Sequence, residues 1–114
     1  MSGITTHVLD LASGRPAAGV SVRLEVSSAD RGWIVLADKV TDADGRVKDL
    51  LAAGAKLDAG RYRLTFATGP YFAARGQDCF HPEAAITFEV RDGAQHYHVP
   101  LLVSPFGYST YRGS

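Results

Sequence analysis

Histidines near the end of the chain are the residues best suited to acid–base chemistry. The sequence contains four histidines, and two of them, His96 and His98, are separated by one residue. In a strand this spacing places both imidazoles on the same face. A neutral imidazole can accept a proton or bind a metal ion near neutral pH. The spacing therefore leaves three interpretations open: proton transfer, part of a zinc site, or histidines hydrogen-bonded within an interface.

The segment that carries these histidines has the pattern of a strand covered on both sides. One of its faces is apolar and is predicted to face the core: Tyr97, Val99, Leu101 and Val103. The opposite face carries the two imidazoles together with Pro100 and Leu102, and it is too apolar for open water. In a chain of 114 residues the second cover is expected to come from another subunit. We therefore expect His98 to lie in a site at a subunit contact.

Alternation of apolar and polar residues predicts a β-rich fold around this strand. Further strands are predicted at Ile4–Asp10, Val20–Ser27, Trp33–Val40, Arg61–Ala67, Ala85–Arg91 and Tyr108–Arg112. The one helix candidate is Gly69–Gly76, because Pro70 suits a first turn and Gly76 suits a helix end. The prediction is a single domain, residues 1–114, with an antiparallel β-sandwich architecture and one short helix.

Composition narrows the classes of partner and the compartment. Lys and Arg together number 12, as do Asp and Glu, so the chain lacks the basic excess that nucleic-acid or membrane-surface binding requires. No apolar stretch is long enough to span a membrane. Cys79 is the only cysteine, which excludes an intrachain disulfide and fits a reducing compartment. The N-terminal residues lack the charged and apolar regions of a signal peptide. A cytoplasmic location is expected.

Four segments in order resemble one protein family. They are Ile4–Asp10 with Gly14–Ala17 following, Thr41–Arg46, His96–Pro105 and Tyr111–Ser114. Together they resemble the 5-hydroxyisourate hydrolases, the transthyretin-related enzymes of urate breakdown, and the likeness runs the whole length. The last segment is similar to the tetrapeptide that separates these enzymes from hormone-carrying transthyretins. Two positions differ from the family pattern: His81 stands where Tyr is expected, and Val103 where Leu is more usual.

The resemblance implies a fold, an assembly and a reaction. It implies an all-β transthyretin-like sandwich of two four-stranded sheets, assembled as a homotetramer (a dimer of dimers) with active sites where the dimers meet. The implied reaction is the hydrolytic opening of the six-membered ring of 5-hydroxyisourate, which gives the imidazoline carboxylate OHCU. The small-molecule substrate is the implied partner, and no metal or organic cofactor is implied. Carried over by position, the site comprises His7, Arg46, His98, Tyr111, Arg112, Gly113 and Ser114.

These residue types suit the implied hydrolysis. His98 and His7 are expected to activate water jointly and to pass its proton to the departing ring nitrogen, and the sequence leaves open which one is the base. Arg46 offers a fork of donors to substrate carbonyls and to the negative charge that develops during attack. Tyr111 and the neighbouring backbone of Arg112 and Gly113 are expected to orient the substrate or water. The hydroxyl or terminal carboxylate of Ser114 is expected to assist them.

Two alternative functions remain at this point. One is a transthyretin-like carrier that binds an aromatic molecule in the tetramer channel without chemistry. The polar set formed by His7, Arg46, His98 and Tyr111 argues against this alternative, since a plain apolar channel has no need of it. The other is a zinc-dependent hydrolase that uses His96 and His98 as ligands.

Overall fold

Two β-sheets packed face to face form the body of the protein. The computed structural model describes residues 3–114. Met1 and Ser2, part of the N-terminal segment in which no signal peptide is expected, lie outside the described residues. The elements are β1 (Ile4–Asp10), β2 (Arg15–Pro16), β3 (Ser21–Ser28), β4 (Gly32–Val40), β5 (Arg46–Val47), β6 (Gly60–Phe66), α1 (Thr68–Ala73), β7 (Ala84–Val90), β8 (Tyr97–Ser104) and β9 (Gly107–Thr110). The long predicted strands are present, with ends shifted by one or two residues.

The strand order differs between the two sheets. In the first sheet the order is β2-β1-β8-β9, and β5 also pairs with β1. In the second sheet the order is β4-β3-β6-β7. Neighbouring strands are antiparallel except for β1 and β8, which are parallel along their whole shared length. The predicted all-β sandwich with one short helix is confirmed. In its detail, the first sheet has five strands rather than four, and two of them are two residues long.

The core lies between the sheets, where the alternating apolar residues of both meet. Its largest fully buried side chains include Ile4, Leu24, Leu64, Phe66 and Leu101. Each such side chain stabilises the fold by about 1.5–3 kcal/mol, whereas an exposed ion pair contributes about 0–1 kcal/mol. The inner faces of the strands therefore provide most of the stability. Side chains on the outer faces contribute less to stability and are available for binding or catalysis.

The short helix is attached to the first strand by a buried polar contact. Tyr71 and Phe72 of α1 are buried, and the Tyr71 hydroxyl donates to the Asp10 carboxylate at 2.8 Å. Burial and this hydrogen bond raise the pKa of Tyr71 to about 12, so the phenol keeps its proton. The helix ends at Ala73, and hydrogen-bonded turns continue to Gly76, the predicted stop. Across residues 3–114, no helix is long and apolar enough to cross a lipid bilayer.

Candidate active site

The parallel pairing of β1 with β8 brings two polar strand faces together. Thr5 lies opposite His98, and His7 lies opposite Pro100. Ile4, Thr6 and Val8 point into the protein. Because side chains alternate along a strand, those of Thr5 and His7 project from the outer face of the sheet, as does that of His98. Strands β1 and β8 therefore share one polar outer surface.

Arg46 joins this surface through a tight turn. The Asp42 carboxylate accepts hydrogen bonds from the backbone N–H groups of Asp44 (2.9 Å) and Arg46 (3.0 Å), which hold the pKa of that carboxyl below its usual value. Gly45 has a φ of +74°, and a Cβ added there would lie 2.5 Å from the backbone oxygen of Val8. Only glycine fits this position. The turn sets Arg46 directly opposite His7 in the β1–β5 pairing.

Thr5 connects two of the histidines. Its Oγ1 lies 2.8 Å from Nδ1 of His98 and 3.0 Å from Nε2 of His96. Both distances are those of good hydrogen bonds. The three side chains therefore form a continuous hydrogen-bonded chain along the outer face, with the hydroxyl in the middle.

The surroundings of His98 favour its neutral form. Burial is the largest cause that lowers the pKa of His98, followed by the positive charge of Arg46 and the neighbouring His7 and His96. A hydrogen bond with the Thr5 backbone opposes them weakly. The net effect keeps the pKa of His98 below the ordinary value of 6.5. An imidazole in this position is neutral at pH 7 and is able to accept a proton.

The C-terminal segment packs directly on His98. The backbone N–H of Gly113 donates to the backbone oxygen of His98 at 2.8 Å, and the two residues form an isolated β-bridge. A Cβ at position 113 would lie 2.5 Å from Cδ2 of the His98 ring. The missing side chain of Gly113 is therefore what allows the imidazole its present position.

A cavity of about 410 Å³ opens on this surface. It is lined by Thr5, Thr6, Arg46, Lys48, His96, His98 and Ser114. No Asp or Glu belongs to the described residues of this lining. The wall thus combines two imidazoles with two cationic side chains and the hydroxyls of Thr5 and Ser114. Such a wall can bind an oxygen-rich or anionic molecule and move a proton to or from it.

The predicted site residues fall into two groups in the structure. His98, Arg46 and Ser114 line the 410 Å³ cavity, with His7 beside Arg46 and Gly113 against the His98 ring. Tyr111 and Arg112 line a different cavity, of about 250 Å³, at the edge of the sandwich between β7 and β8. Within one chain, these last two residues are not placed on the wall that carries His98.

Local contacts hold Arg112 at that second cavity. Its guanidinium lies 4.5 Å from the centre of the Tyr97 ring and donates to Oε1 of Gln95 at 3.0 Å. Tyr111 is 58% exposed. The ring of Tyr97 belongs to the core-facing side of β8, opposite to the side that carries His98.

The histidine pair does not by itself provide a metal site. Within the described part of the chain, no group of three or more His, Cys, Asp or Glu side chains is placed to hold a metal ion. His96 and His98 instead share the Thr5 hydroxyl. Zinc sites in proteins use three or four protein ligands, and this pair supplies two.

The cavity wall also includes three residues that were not predicted from the sequence: Thr5, Thr6 and Lys48. Thr5 shares a strand face with His7, and Lys48 has the same parity as Arg46, so weak signals were present. Neither signal identifies a site, because threonine and lysine are common on exposed strand faces. The pairing of Thr5 with His98 joins residues 93 positions apart and is visible only in the folded chain.

Comparisons with known proteins agree over nearly the whole chain. Residues 4–113 match the model of the HIUase/Transthyretin family. The chain is 53% identical to the 5-hydroxyisourate hydrolase of Caulobacter vibrioides, with all of both sequences covered. It is 44% identical to the solved 5-hydroxyisourate hydrolase of Klebsiella pneumoniae, with a TM-score of 0.84 over 100% of this chain and 94% of that one. Sea bream transthyretin in complex with thyroxine gives a TM-score of 0.91 at 34% identity, covering 98% and 95%.

Proposed function

The chain belongs to the HIUase/transthyretin family, and we propose on that basis that it is a 5-hydroxyisourate hydrolase. The reaction uses water to open the six-membered ring of 5-hydroxyisourate and gives OHCU, 5-hydroxy-2-oxo-4-ureido-2,5-dihydro-1H-imidazole-5-carboxylate. Two full-length relatives with this name support the assignment. The observation that carries it is the cavity that sets Arg46 beside a neutral His98.

The chemistry of ring opening defines what the site must supply. A water oxygen bonds to a ring carbonyl carbon, and the carbonyl oxygen gains negative charge. The bond from that carbon to the ring nitrogen then breaks. One water proton goes to the departing nitrogen, and the other leaves when the new carboxylic acid ionises. The site needs a base that becomes an acid and donors for the developing oxyanion.

We assign the base to His98. It lies on the cavity wall, and burial with neighbouring positive charge keeps its pKa low enough for the imidazole to be neutral at pH 7. After accepting the proton of water, the imidazolium is the acid that protonates the departing nitrogen. His7 stands opposite Arg46 and contributes to the electrostatic environment of His98. It supports the proton transfer rather than receiving the first proton.

Arg46 is assigned to the developing negative charge. Its guanidinium only donates hydrogen bonds and keeps its charge throughout, so it stabilises the oxyanion without a proton transfer of its own. The Asp42-anchored turn fixes its backbone before the substrate arrives. Lys48 and the Ser114 hydroxyl lie on the same wall and provide further donors to substrate carbonyls.

We propose that the working form is a homotetramer, a dimer of dimers. Two edge strands support this: β7 ends the second sheet and β9 ends the first, and both border the 250 Å³ cavity that carries Tyr111. Open edges and exposed aromatic residues such as Tyr108 favour pairing with another chain. In this assembly Tyr111 and Arg112 reach the substrate across a subunit contact.

Mixing impaired variants tests that arrangement. The His98→Ala and Tyr111→Ala proteins are each expected to have strongly reduced activity alone. If the two residues of one site come from different chains, refolding the two variants together restores part of the activity. Light scattering of the native protein measures the number of chains. A monomer in solution, or no recovery in the mixture, would contradict the shared site.

We also propose that the protein works in the cytoplasm. Its single thiol, Cys79, is free and partly buried, which suits a reducing compartment. Localisation of a tagged protein in its source cells tests this proposal.

The decay of freshly made 5-hydroxyisourate, followed by ultraviolet absorbance, tests the activity directly. The native protein is expected to speed the decay, and His98→Ala to slow it by about 10²–10⁴-fold, the usual contribution of a general base. Removal of Tyr111–Ser114 is expected to abolish activity. Circular dichroism controls for the fold, and assay after chelation tests for a metal. A native protein that binds an aromatic ligand but leaves the decay unchanged would be a carrier instead.

A further inference from the structure

The hydroxyl of Thr5 lies between two imidazoles. Its oxygen contacts Nδ1 of His98 and Nε2 of His96 at hydrogen-bonding distance. A hydroxyl has one proton to donate. When both rings are neutral and both bonds are made, Thr5 donates to one imidazole and accepts from the other. The protonation pattern of one ring therefore determines that of the other.

Only two arrangements satisfy this rule. In the first, His98 carries its proton on Nδ1 and donates to Thr5, while Thr5 donates to Nε2 of His96. In the second, Thr5 donates to Nδ1 of His98, whose proton is then on Nε2, and His96 donates to Thr5. The first leaves Nε2 of His98 with a free lone pair, and the second leaves it as a proton donor.

The charges of the cavity favour the first arrangement. Arg46 and Lys48 line the same wall as His98 and can only donate hydrogen bonds. A lone pair on Nε2 of His98 complements these donors, whereas an N–H would add one more donor to them. Among the described residues of this wall, no Asp or Glu side chain is available to accept from that N–H.

We propose that Thr5 and His96 are positioning residues that hold His98 in the tautomer with its proton on Nδ1, which makes Nε2 the base. His96 is the acceptor for the Thr5 proton, and without that acceptor the hydroxyl is free to turn and donate to His98. The catalytic consequence rests on the proposed hydrolase function, whereas the tautomer itself does not.

The same arrangement suits the reaction step. When Nε2 takes a proton from water, the new imidazolium still donates from Nδ1 to Thr5, and Thr5 still donates to His96. No hydrogen bond has to reverse during proton transfer, and the same proton can leave Nε2 for the departing nitrogen. His7, Arg46, Lys48 and the carboxylate of Ser114 are the other titratable or charged groups of this surface.

Nuclear magnetic resonance of ¹⁵N-histidine-labelled protein tests the tautomer without substrate. At about pH 8, above the usual titration range of histidine, the His98 ring is expected to be protonated on Nδ1. Its signals are assigned by their loss in the His98→Ala variant. Thr5→Val and His96→Phe are expected to move the ring to the Nε2 tautomer, and Thr5→Ser to retain Nδ1. A native His98 with its proton on Nε2 would overturn the proposal.

Kinetics of the same variants test the consequence. Thr5→Val is expected to lower kcat by about tenfold or more with KM changed less than about twofold, since the tautomer affects proton transfer and not binding. Thr5→Ser keeps the hydroxyl and is expected to keep kcat within about threefold. Thr65→Val, on the outer face of the second sheet, is the control and is expected to leave kcat unchanged. Full kcat in folded Thr5→Val protein would overturn the positioning role.

The two measurements separate the possible failures. A native protein that does not hydrolyse 5-hydroxyisourate would contradict the proposed function, and the tautomer measured in that protein would still decide the role of Thr5. Should Thr5→Val lose its fold, the native spectrum and the Thr5→Ser variant decide the proposal.

Discussion

The outer faces of the two sheets differ in whether their charged side chains form ion pairs within the chain. On the second sheet, Arg23 pairs with Asp38 at 2.8 Å, and Arg63 pairs with Glu25 at 2.9 Å while lying 4.2 Å from the centre of the Trp33 ring. On the first sheet, three histidines and Arg46 form a polar surface, and the nearby Asp42 carboxylate is engaged by the backbone of its own turn.

This difference indicates which face is suited to ligand binding and catalysis. Charges paired within the chain satisfy one another and hold the strands in position. Donors that no Asp or Glu side chain engages remain available to a ligand. Size alone does not make the distinction, because a larger groove, about 640 Å³, lies on the second sheet beside the Arg23–Asp38 pair. The smaller cavity on the first sheet holds the imidazoles and is the better candidate.

Removing one arginine from each face tests the comparison most strongly. Arg46→Gln is expected to lower kcat/KM by about 10²–10³-fold, since it removes a donor to the developing oxyanion. It is also expected to raise the pKa of His98, because Arg46 is one of the charges that lower it. The decay assay and a nuclear magnetic resonance titration measure the two effects. Arg63→Gln is the matched control, and equal kinetic losses in both variants would erase the distinction.

A single added methyl group tests the fit of the C-terminal segment. Gly113→Ala places a Cβ 2.5 Å from Cδ2 of His98, so the ring or the segment must shift. A displacement of about 1 Å at a catalytic group can lower the rate by about 10²-fold. The control is Gly107→Ala, whose Cβ meets only the Ser104 hydroxyl, at 3.9 Å. Native activity in Gly113→Ala would show that His98 needs no such fit.

The pH dependence of activity tests the electrostatics of the first face. Because the pKa of His98 lies below 6.5, activity is expected to persist somewhat below that pH and then to fall about tenfold per unit. The unfolded chain binds this proton more readily, so the free energy of unfolding also falls as pH decreases from about 6.5. Rate profiles and denaturant titrations measure both. A profile that is flat down to about pH 5 would argue against a histidine base.

The smallest effect is expected on the second face, and it concerns stability. Arg63→Ala leaves Glu25, which is only 8% exposed, without its partner. The free energy of unfolding is expected to fall by about 1–2 kcal/mol, less than for a fully buried pair because Arg63 retains contact with water. Denaturant unfolding measures the loss, and kcat is expected to remain native. A kinetic defect larger than the stability loss would link this face to the site.

Local patterns in the sequence were sufficient to predict the long strands and part of the candidate site. Alternation placed the inner and outer faces of β1, β3, β6 and β8, because a strand turns every second side chain to the same side whatever its partner. The same parity put His96 and His98 on one face. The family resemblance supplied the positions of His7, Arg46 and the C-terminal segment, and their roles remain predictions.

Tertiary structure decided which of these faces meet. The parallel pairing of β1 with β8 and the attachment of β5 to β1 depend on contacts between segments far apart in the chain. Local propensity carries no information about such partners. Only this pairing sets the Thr5 hydroxyl between two histidines, brings Arg46 opposite His7, and places Tyr111 at a separate cavity. The sequence alone determined which chemical groups are present and on which face of its strand each one lies. Long-range strand pairing determined which of these groups lie next to one another.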